Sequence, residues 1–315
     1  MKTRFLVSAA TVALLFAGCG NDDNELADNW NGEIRLSSGI TVQQTRTDNG
    51  SVPDTQIANG QYVGVFISDA ITSDAIGTNL KYDADGSGGL TLNASPAQTA
   101  PYYPATGNGV NIHAYQPYDE KATTAGDGTY DFLVKGNQKV VGDYYASDLL
   151  YSANQTYVRQ KGAHRLSFAH KLSKVVCKLE AGKGGPSLAE ATVEILGAET
   201  KGKFKPSDGT FTTLTGGSGV RSAVQMNSTI TSGSYIAILP PQTFARGAKF
   251  LKITIGGGVF YYHIPDDPAD GLTLAKGNVY TYTIEVNLTG LSVTSTVSPW
   301  KDIESNQKSG TAEME

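Results

Sequence analysis

Cys19 is the residue whose setting asks most directly for chemistry. It follows Leu14-Leu15-Phe16-Ala17-Gly18 and precedes Gly20-Asn21-Asp22-Asp23. An apolar run ending in small residues before a cysteine is the pattern on which an export signal is cut and the new N-terminal thiol acylated; Phe16 is bulkier than the usual Leu or Val there. Each buried methylene contributes about 0.8 kcal/mol, so two or three acyl chains give stable anchoring. Lys2 and Arg4 supply the charged start, and Phe5 to Phe16 is too short to remain as a membrane span. Residues 1–18 therefore read as a lipoprotein signal peptide, and the exported chain is tied to a membrane without crossing it.

Arg46, in Gln43-Gln44-Thr45-Arg46-Thr47-Asp48-Asn49-Gly50, is open to a trypsin-like protease that would leave Thr47 as a new N-terminus. Many surface arginines are equally open, and composition alone reads Arg46 as one of them. Other reactive groups fail on spacing. His113, His164, His170 and His263 include no i, i+4 pair and no Cys or Asp cluster. His164 and His170 would lie about 20 Å apart on one straight strand, at ~3.3 Å per residue, too far for one metal ion. Asp83-Ala84-Asp85-Gly86-Ser87 lacks the downstream bidentate Glu and flanking helices of a calcium loop and reads as an Asp-Gly turn. The "SGG" and "GGG" runs lack a phosphate-loop lysine. No constellation points to catalysis, and no metal or cofactor is expected.

These residues must be carried by strands. Charged residues make up 17% of the chain, Gly occurs 36 times and Tyr 16, and Thr, Val, Ile and Tyr recur between Gly, Asn and Asp. That is the composition of an all-β protein. At 315 residues the chain fits two domains better than one. Its net charge of −5 falls to −7 once Lys2 and Arg4 leave, which disfavours nucleic acid and anionic surfaces as partners. Cys177 is the only other cysteine, so no disulfide framework exists, and Val175-Val176-Cys177 reads as a buried strand centre.

Cys19 to Asn29 reads as a tether. Glu33–Leu36 and Ile40–Val42 suggest short strands, and "YVGVFISD" from Tyr62 alternates as a half-buried strand. The second half is cleaner: "LSFAHKLSKVVCKLEA", "ATVEILG", "SYIAIL" ended by Pro240-Pro241, "KFLKITIGGGVFYYHIP" and "VYTYTIEVNLTGLSVTSTVSPW" are strands at the spacing of sandwiches. No window has a long helical period. Two β-sandwich domains are expected, 47–160 and 161–315, after a tether and first strand segment at 19–46. Their boundary falls in the loop-like "NQTYVRQKGAH", and the polar tail beyond Trp300 is expected to fray.

The blocks "LSFAHKLSKVVCKL" (166–179), "YIAILPPQTF" (235–244), "VNIHAYQPY" (110–118), "DLLYS" (148–152) and "KGNVYTYTIEVN" (276–287) resemble the fimbrillin family, the type V pilins and related surface lipoproteins of anaerobic Gram-negative bacteria. They occur in order across most of residues 30–300, and Leu-x-Phe-x-His-Lys-Leu-Ser is the most specific. The resemblance implies two tandem transthyretin-like β-sandwich domains and export as a lipoprotein to the outer membrane. In the stalk type it implies cleavage after an N-terminal Arg, loss of the first strand with its lipid, and filling of the groove by a neighbour's strand. Arg46 and Thr47 match that cut, and Arg35, inside an expected strand, is a lesser candidate. The donor candidate is "LSVTSTVSPW", with Leu291, Val293 and Val297 alternating with polar residues. An added strand would satisfy both an open sheet edge and an apolar trench.

The function expected is that of a structural or tip subunit of cell-surface fimbriae supporting adhesion. Its expected partners are other fimbrial subunits, the outer membrane through Cys19, a maturation protease, and a ligand on a host or bacterial surface. The alternative is a lipid-anchored surface protein that does not polymerise, either a fimbrial anchor or a glycan- or host-protein-binding module.

Overall fold

In a computed structural model of the chain, residues 30–40, 55–123, 128–231, 233–267, 269–287, 290–300 and 307–312 are described. Strands β1 (Leu36–Ile40), β2 (Tyr62–Asp69), β3 (Ala75–Ala84), β4 (Gly89–Leu92), β5 (Val110–Gln116), β6 (Tyr130–Leu133), β7 (Leu150–Tyr157) and β8 (His164–His170) come first, with a short helix α1 (Val141–Ala146) before β7. There follow β9 (Ser173–Ala181), β10 (Thr192–Glu199), β11 (Lys201–Lys205), β12 (Thr210–Thr213), β13 (Arg221–Gln225), β14 (Ser234–Leu239) and β15 (Gln242–Phe244). The last are β16 (Lys249–Ile255), β17 (Gly258–His263), β18 (Leu272–Leu274), β19 (Asn278–Asn287), β20 (Gly290–Pro299) and β21 (Gln307–Ala312).

The all-β class read from composition is what these strands form, in two groups. The first closes into a barrel in the order β1-β4-β3-β2-β5-β7-β8. In β2 the alternation is literal: Val63, Val65 and Ile67 are buried, because successive side chains of a strand point to opposite faces. The second group stacks a four-stranded sheet (β13-β10-β16-β17) on a five-stranded one (β14-β9-β19-β20-β21). Val193, Ile195, Leu251 and Ile253 from one meet Cys177, Tyr282, Ile284 and Val286 from the other in a common core. Cys177 is a free thiol within that core, and burial pushes its pKa up.

A third, three-stranded sheet (β12-β11-β6) lies where the groups meet. Phe204 of β11 is fully buried there, with ring centroids 5.7 Å from Tyr115, 5.8 Å from Tyr130 and 6.3 Å from Tyr151. β5, β6 and β7 supply those tyrosines, so barrel and sandwich share an aromatic core. The described residues from Gly32 onward accordingly form one compact unit.

β8 belongs to the barrel, so the first strand group runs to His170. Two details differ from the sequence reading. β7 continues through Asn154–Tyr157, where loop composition was read, because Thr156 and Tyr157 pair with Asn111 and Val110 of β5. Helix α1 was not anticipated, since six residues are too few to display a helical period.

Candidate functional site

The barrel owes its closure to one short strand. β1 lies antiparallel to β4, with Leu36 opposite Leu90 and Ser37 opposite Gly89. On its other edge it runs parallel to β8, from Leu36 beside His164 to Ile40 beside Phe168. The segment just before it is held too: Ile34 N–H donates to Pro101 O at 2.9 Å, and His164 N–H to Arg35 O at 2.8 Å. Ile34, Leu36, Ser38 and Ile40 are 2–6% exposed, and their spacing of two puts all four on the inner face. On the outer face Gly39 has no side chain, and the Arg165 guanidinium lies in that space; a β-carbon at Gly39 would collide with it.

Beneath the same strands lies a buried polar pair. His164 Nε2 is hydrogen-bonded to the Tyr103 hydroxyl, and that hydroxyl donates to Val158 O at 3.2 Å. Burial lowers the His164 pKa and raises that of Tyr103, so the pair is a neutral fixture of the barrel wall, with the geometry of packing.

The far end of the chain is held differently. β20 pairs with β19 along its whole length, Asn287 opposite Gly290 through Asn278 opposite Pro299, and its other edge pairs with β21. Of the donor candidates, Leu291 and Val293 are 5% and 3% exposed in the sandwich core, while Val297 is 40% exposed. Trp300 then turns back onto the barrel. Its ring stacks on His170 at 3.6 Å with planes 5° apart, and the Trp300 backbone N–H donates to Gly277 O at 2.5 Å. Asp148 fixes the His170 ring through Nδ1 at 2.8 Å, and Lys174 Nζ lies 5.8 Å from the Trp300 ring. His170 belongs to the "LSFAHKLS" block, yet its pairing with Trp300 spans 130 residues, and no local pattern signals it.

Cys19, Arg46 and Thr47 lie outside the described residues. The ends of the segment that carries Arg46 do meet, since Ile40 N–H donates to Thr55 O at 2.9 Å. The Arg35 side chain is exposed, but its backbone sits in the β1 to β8 ladder. The histidines are not brought together: His113 stacks on Phe66 at 4.7 Å, and half-buried His263 meets Gly247 O. Among the described residues no group of three metal-ligating side chains occurs. Asp85 accepts hydrogen bonds from Ser87 and Gly89 N–H, at 2.7 and 2.9 Å, and Gly86 takes a φ of 79°. This is the local geometry of an Asp-Gly turn.

The chain belongs to the fimbrillin-like family, whose model matches residues 45–300. Over 99% of its length it is 24% identical to the whole of a Bacteroides uniformis protein named "Putative fimbrium subunit Fim1C". Its fold is similar to crystal structures of a "putative cell adhesion protein" from Bacteroides uniformis (TM-score 0.61, 22% identity, 86% of this chain and all of that one) and of another so described from Bacteroides ovatus (TM-score 0.66, 18% identity, 86% and 98%).

Proposed function

We propose that the chain is a subunit of a cell-surface fimbria, delivered as a lipoprotein through Cys19, cut between Arg46 and Thr47, and assembled with other subunits by strand exchange to support adhesion. The observation that carries this reading is the position of β1. It closes the barrel, and it is the one strand of that barrel on the N-terminal side of Arg46. A cut there severs β1 from every other barrel strand. Its departure would leave the facing edges of β4 and β8 unpaired, together with the inner space filled by Ile34, Leu36 and Ile40. Unpaired edges and apolar trenches recruit strands. The family match, residues 45–300, begins beside that cut and leaves β1 outside it. The name borne by the Bacteroides uniformis relative agrees with a fimbrial role. On this reading the chain works by assembly and not by catalysis.

The full pairing of β20 in its own sheet favours one alternative, a lipid-anchored surface protein that keeps β1 and never polymerises, as a fimbrial anchor or a ligand-binding module would. Mass spectrometry of protein taken from intact cells separates the two. Polymer whose subunits begin at Thr47 supports the strand-exchange reading, and Arg46→Ala should then abolish it. Acylated monomer beginning at Cys19, with no shorter form, would overturn it.

A further inference from the structure

The outer half of β8 depends on one neighbour. β7 meets β8 only at its start, with Leu150 opposite His170, Tyr151 opposite Ala169 and Ser152 opposite Phe168; farther along, Gln155–Tyr157 pair with β5. From His164 to Ser167, the ladder partner of β8 among the described residues is therefore β1, from Leu36 to Gly39. The side chains follow the backbone. The Arg165 guanidinium fills the place of a side chain at Gly39, and the Arg159 guanidinium lies over Gly32. Both glycines belong to the segment N-terminal to Arg46, and both arginines to the arm 158–167 that leads from β7 into β8.

Resting on the reading that a cut after Arg46 lets β1 leave, we infer that the Arg165–Leu166 bond is a second cleavage site for an arginine-specific protease, closed while β1 is in place and opened by its departure. With β1 present, residues 158–163 form a short loop pinned at both ends, by Tyr157 paired with Val110 and by His164 paired with Leu36. A protease must draw its substrate into an extended line, which a short pinned loop and a paired strand both resist. The side chain that the enzyme must grip is also engaged, on the backbone of Gly39. Without β1 the free length grows to residues 158–167, as far as Phe168 opposite Ser152. What then ties the arm down is side-chain contact: the Tyr157 hydroxyl donating to Arg165 O at 3.1 Å, His164 Nε2 on the Tyr103 hydroxyl, and Leu166 in the barrel core. Arg159 and Arg165 lose the glycines they cover in the same event.

Beyond Arg46 the chain has four arginines, Arg159, Arg165, Arg221 and Arg246. Arg221 is held by Glu199 at 2.9 Å on β13, and Arg246 is exposed in the turn between β15 and β16, so neither depends on β1. Hydrolysis at Arg165 adds water across the peptide bond and leaves a carboxylate on Arg165 and an ammonium on Leu166. Leu166 and Phe168 are both fully buried in the barrel, and a new charge beside them opposes their return to the core. The second cut therefore destroys the barrel. A subunit that has lost β1, and whose β8 edge stays bare, is removed by the same class of enzyme that cut Arg46, while one whose edge is paired again is spared.

The test uses the chain without its signal peptide, with Gln43–Asp48 replaced by the recognition sequence of a narrow-specificity protease, so that β1 can be detached without cutting at any of the four arginines. Three samples meet an arginine-specific protease: the whole chain, the nicked chain freed of its β1 peptide by gel filtration, and the freed chain given back a synthetic peptide of residues 30–42. Mass spectrometry follows cleavage after each arginine. The rate after Arg165 should rise at least about tenfold in the freed chain, as opening of a laddered strand allows, and fall back when the peptide is returned, while the rate after Arg246 stays unchanged. Equal cleavage after Arg165 in the whole and freed chains, or resistance in the freed chain, would overturn the inference. So would a β1 peptide that never leaves the nicked chain, or an equal rise after Arg221 and Arg246, which would mark general unfolding. Each of these outcomes leaves the maturation reading to its own measurement, the N-terminus of protein taken from intact cells.

Discussion

The Trp300 indole lies face to face with the His170 imidazole, 3.6 Å between centroids and 5° between planes, which joins the end of β20 to the end of β8. Trp300 is 8% exposed and belongs to the shared aromatic core. Replacing a large buried aromatic by Ala costs about 3–5 kcal/mol, and Trp300→Ala should destabilise the monomer by that order in denaturant unfolding. Hydrogen exchange should show the loss of protection concentrated in β20 and β19. A uniform loss across barrel and sandwich would mean that the stack does not hold the C-terminal strand in particular.

Phe204 connects the two strand groups, touching tyrosines of β5, β6 and β7 from its place on β11. Phe204→Ala leaves a cavity at the junction and should cost about 3–5 kcal/mol. Because the cavity lies between two cores that otherwise remain intact, calorimetry should show a single transition in the wild type separating into two. A lowered but still single transition would show that cooperativity does not pass through this ring.

Two glycines should respond oppositely to the same substitution. Gly209 has a φ of 68°, and the Tyr151 ring lies against it. Gly209→Ala meets both the left-handed strain of about 1–2 kcal/mol and an immobile aromatic, so a clear loss of stability is expected. At Gly39 the obstacle is the tip of the Arg165 side chain. Gly39→Ala should cost under about 1 kcal/mol, since alanine also restricts the unfolded chain. Midpoints from urea titration give the ranking, and equal losses would contradict it.

His113 lies flat on Phe66, and burial holds its pKa below the ordinary histidine value of 6.5. The unfolded chain then takes up the proton more readily than the folded one. The favourable neutral state is fully realised above the unfolded pKa, and stability is lost as pH falls through 6.5 toward the lower folded value. His113→Phe keeps a stacked ring and removes the titration. Its denaturant midpoint should therefore vary less between about pH 7 and pH 5 than that of the wild type, and identical slopes would dismiss the assignment.

Local pattern made much of this fold legible. Val63, Val65 and Ile67 in β2, or Tyr280, Tyr282, Ile284 and Val286 in β19, announce buried faces because the strand period is two; in β19 the residues between are Thr281, Thr283 and Glu285. The halt of β14 at Leu239 is written in Pro240-Pro241. Partnership between strands was not legible. Nothing near Leu36–Ile40 says that it will lie between β4 and β8, and nothing in "HKLS" points to Trp300. Those are long-range choices settled by packing, and they carry the first strand group to His170. The lipid and cleavage signals at Cys19, Arg46 and Thr47 are legible as motifs alone, since they lie outside the described residues.

The hydrogen bond from Ile40 N–H to Thr55 O brings together the two ends of the segment that contains Arg46. Hydrolysis of one peptide bond inside that segment breaks none of the contacts that hold β1 to β4 and β8. A freshly nicked subunit is therefore a complex of two chains, a short ligand and its receptor, and its dissociation rate becomes a clock. On the strand-exchange reading, the residence time of the departing peptide would set when a cut subunit first becomes able to accept a neighbour.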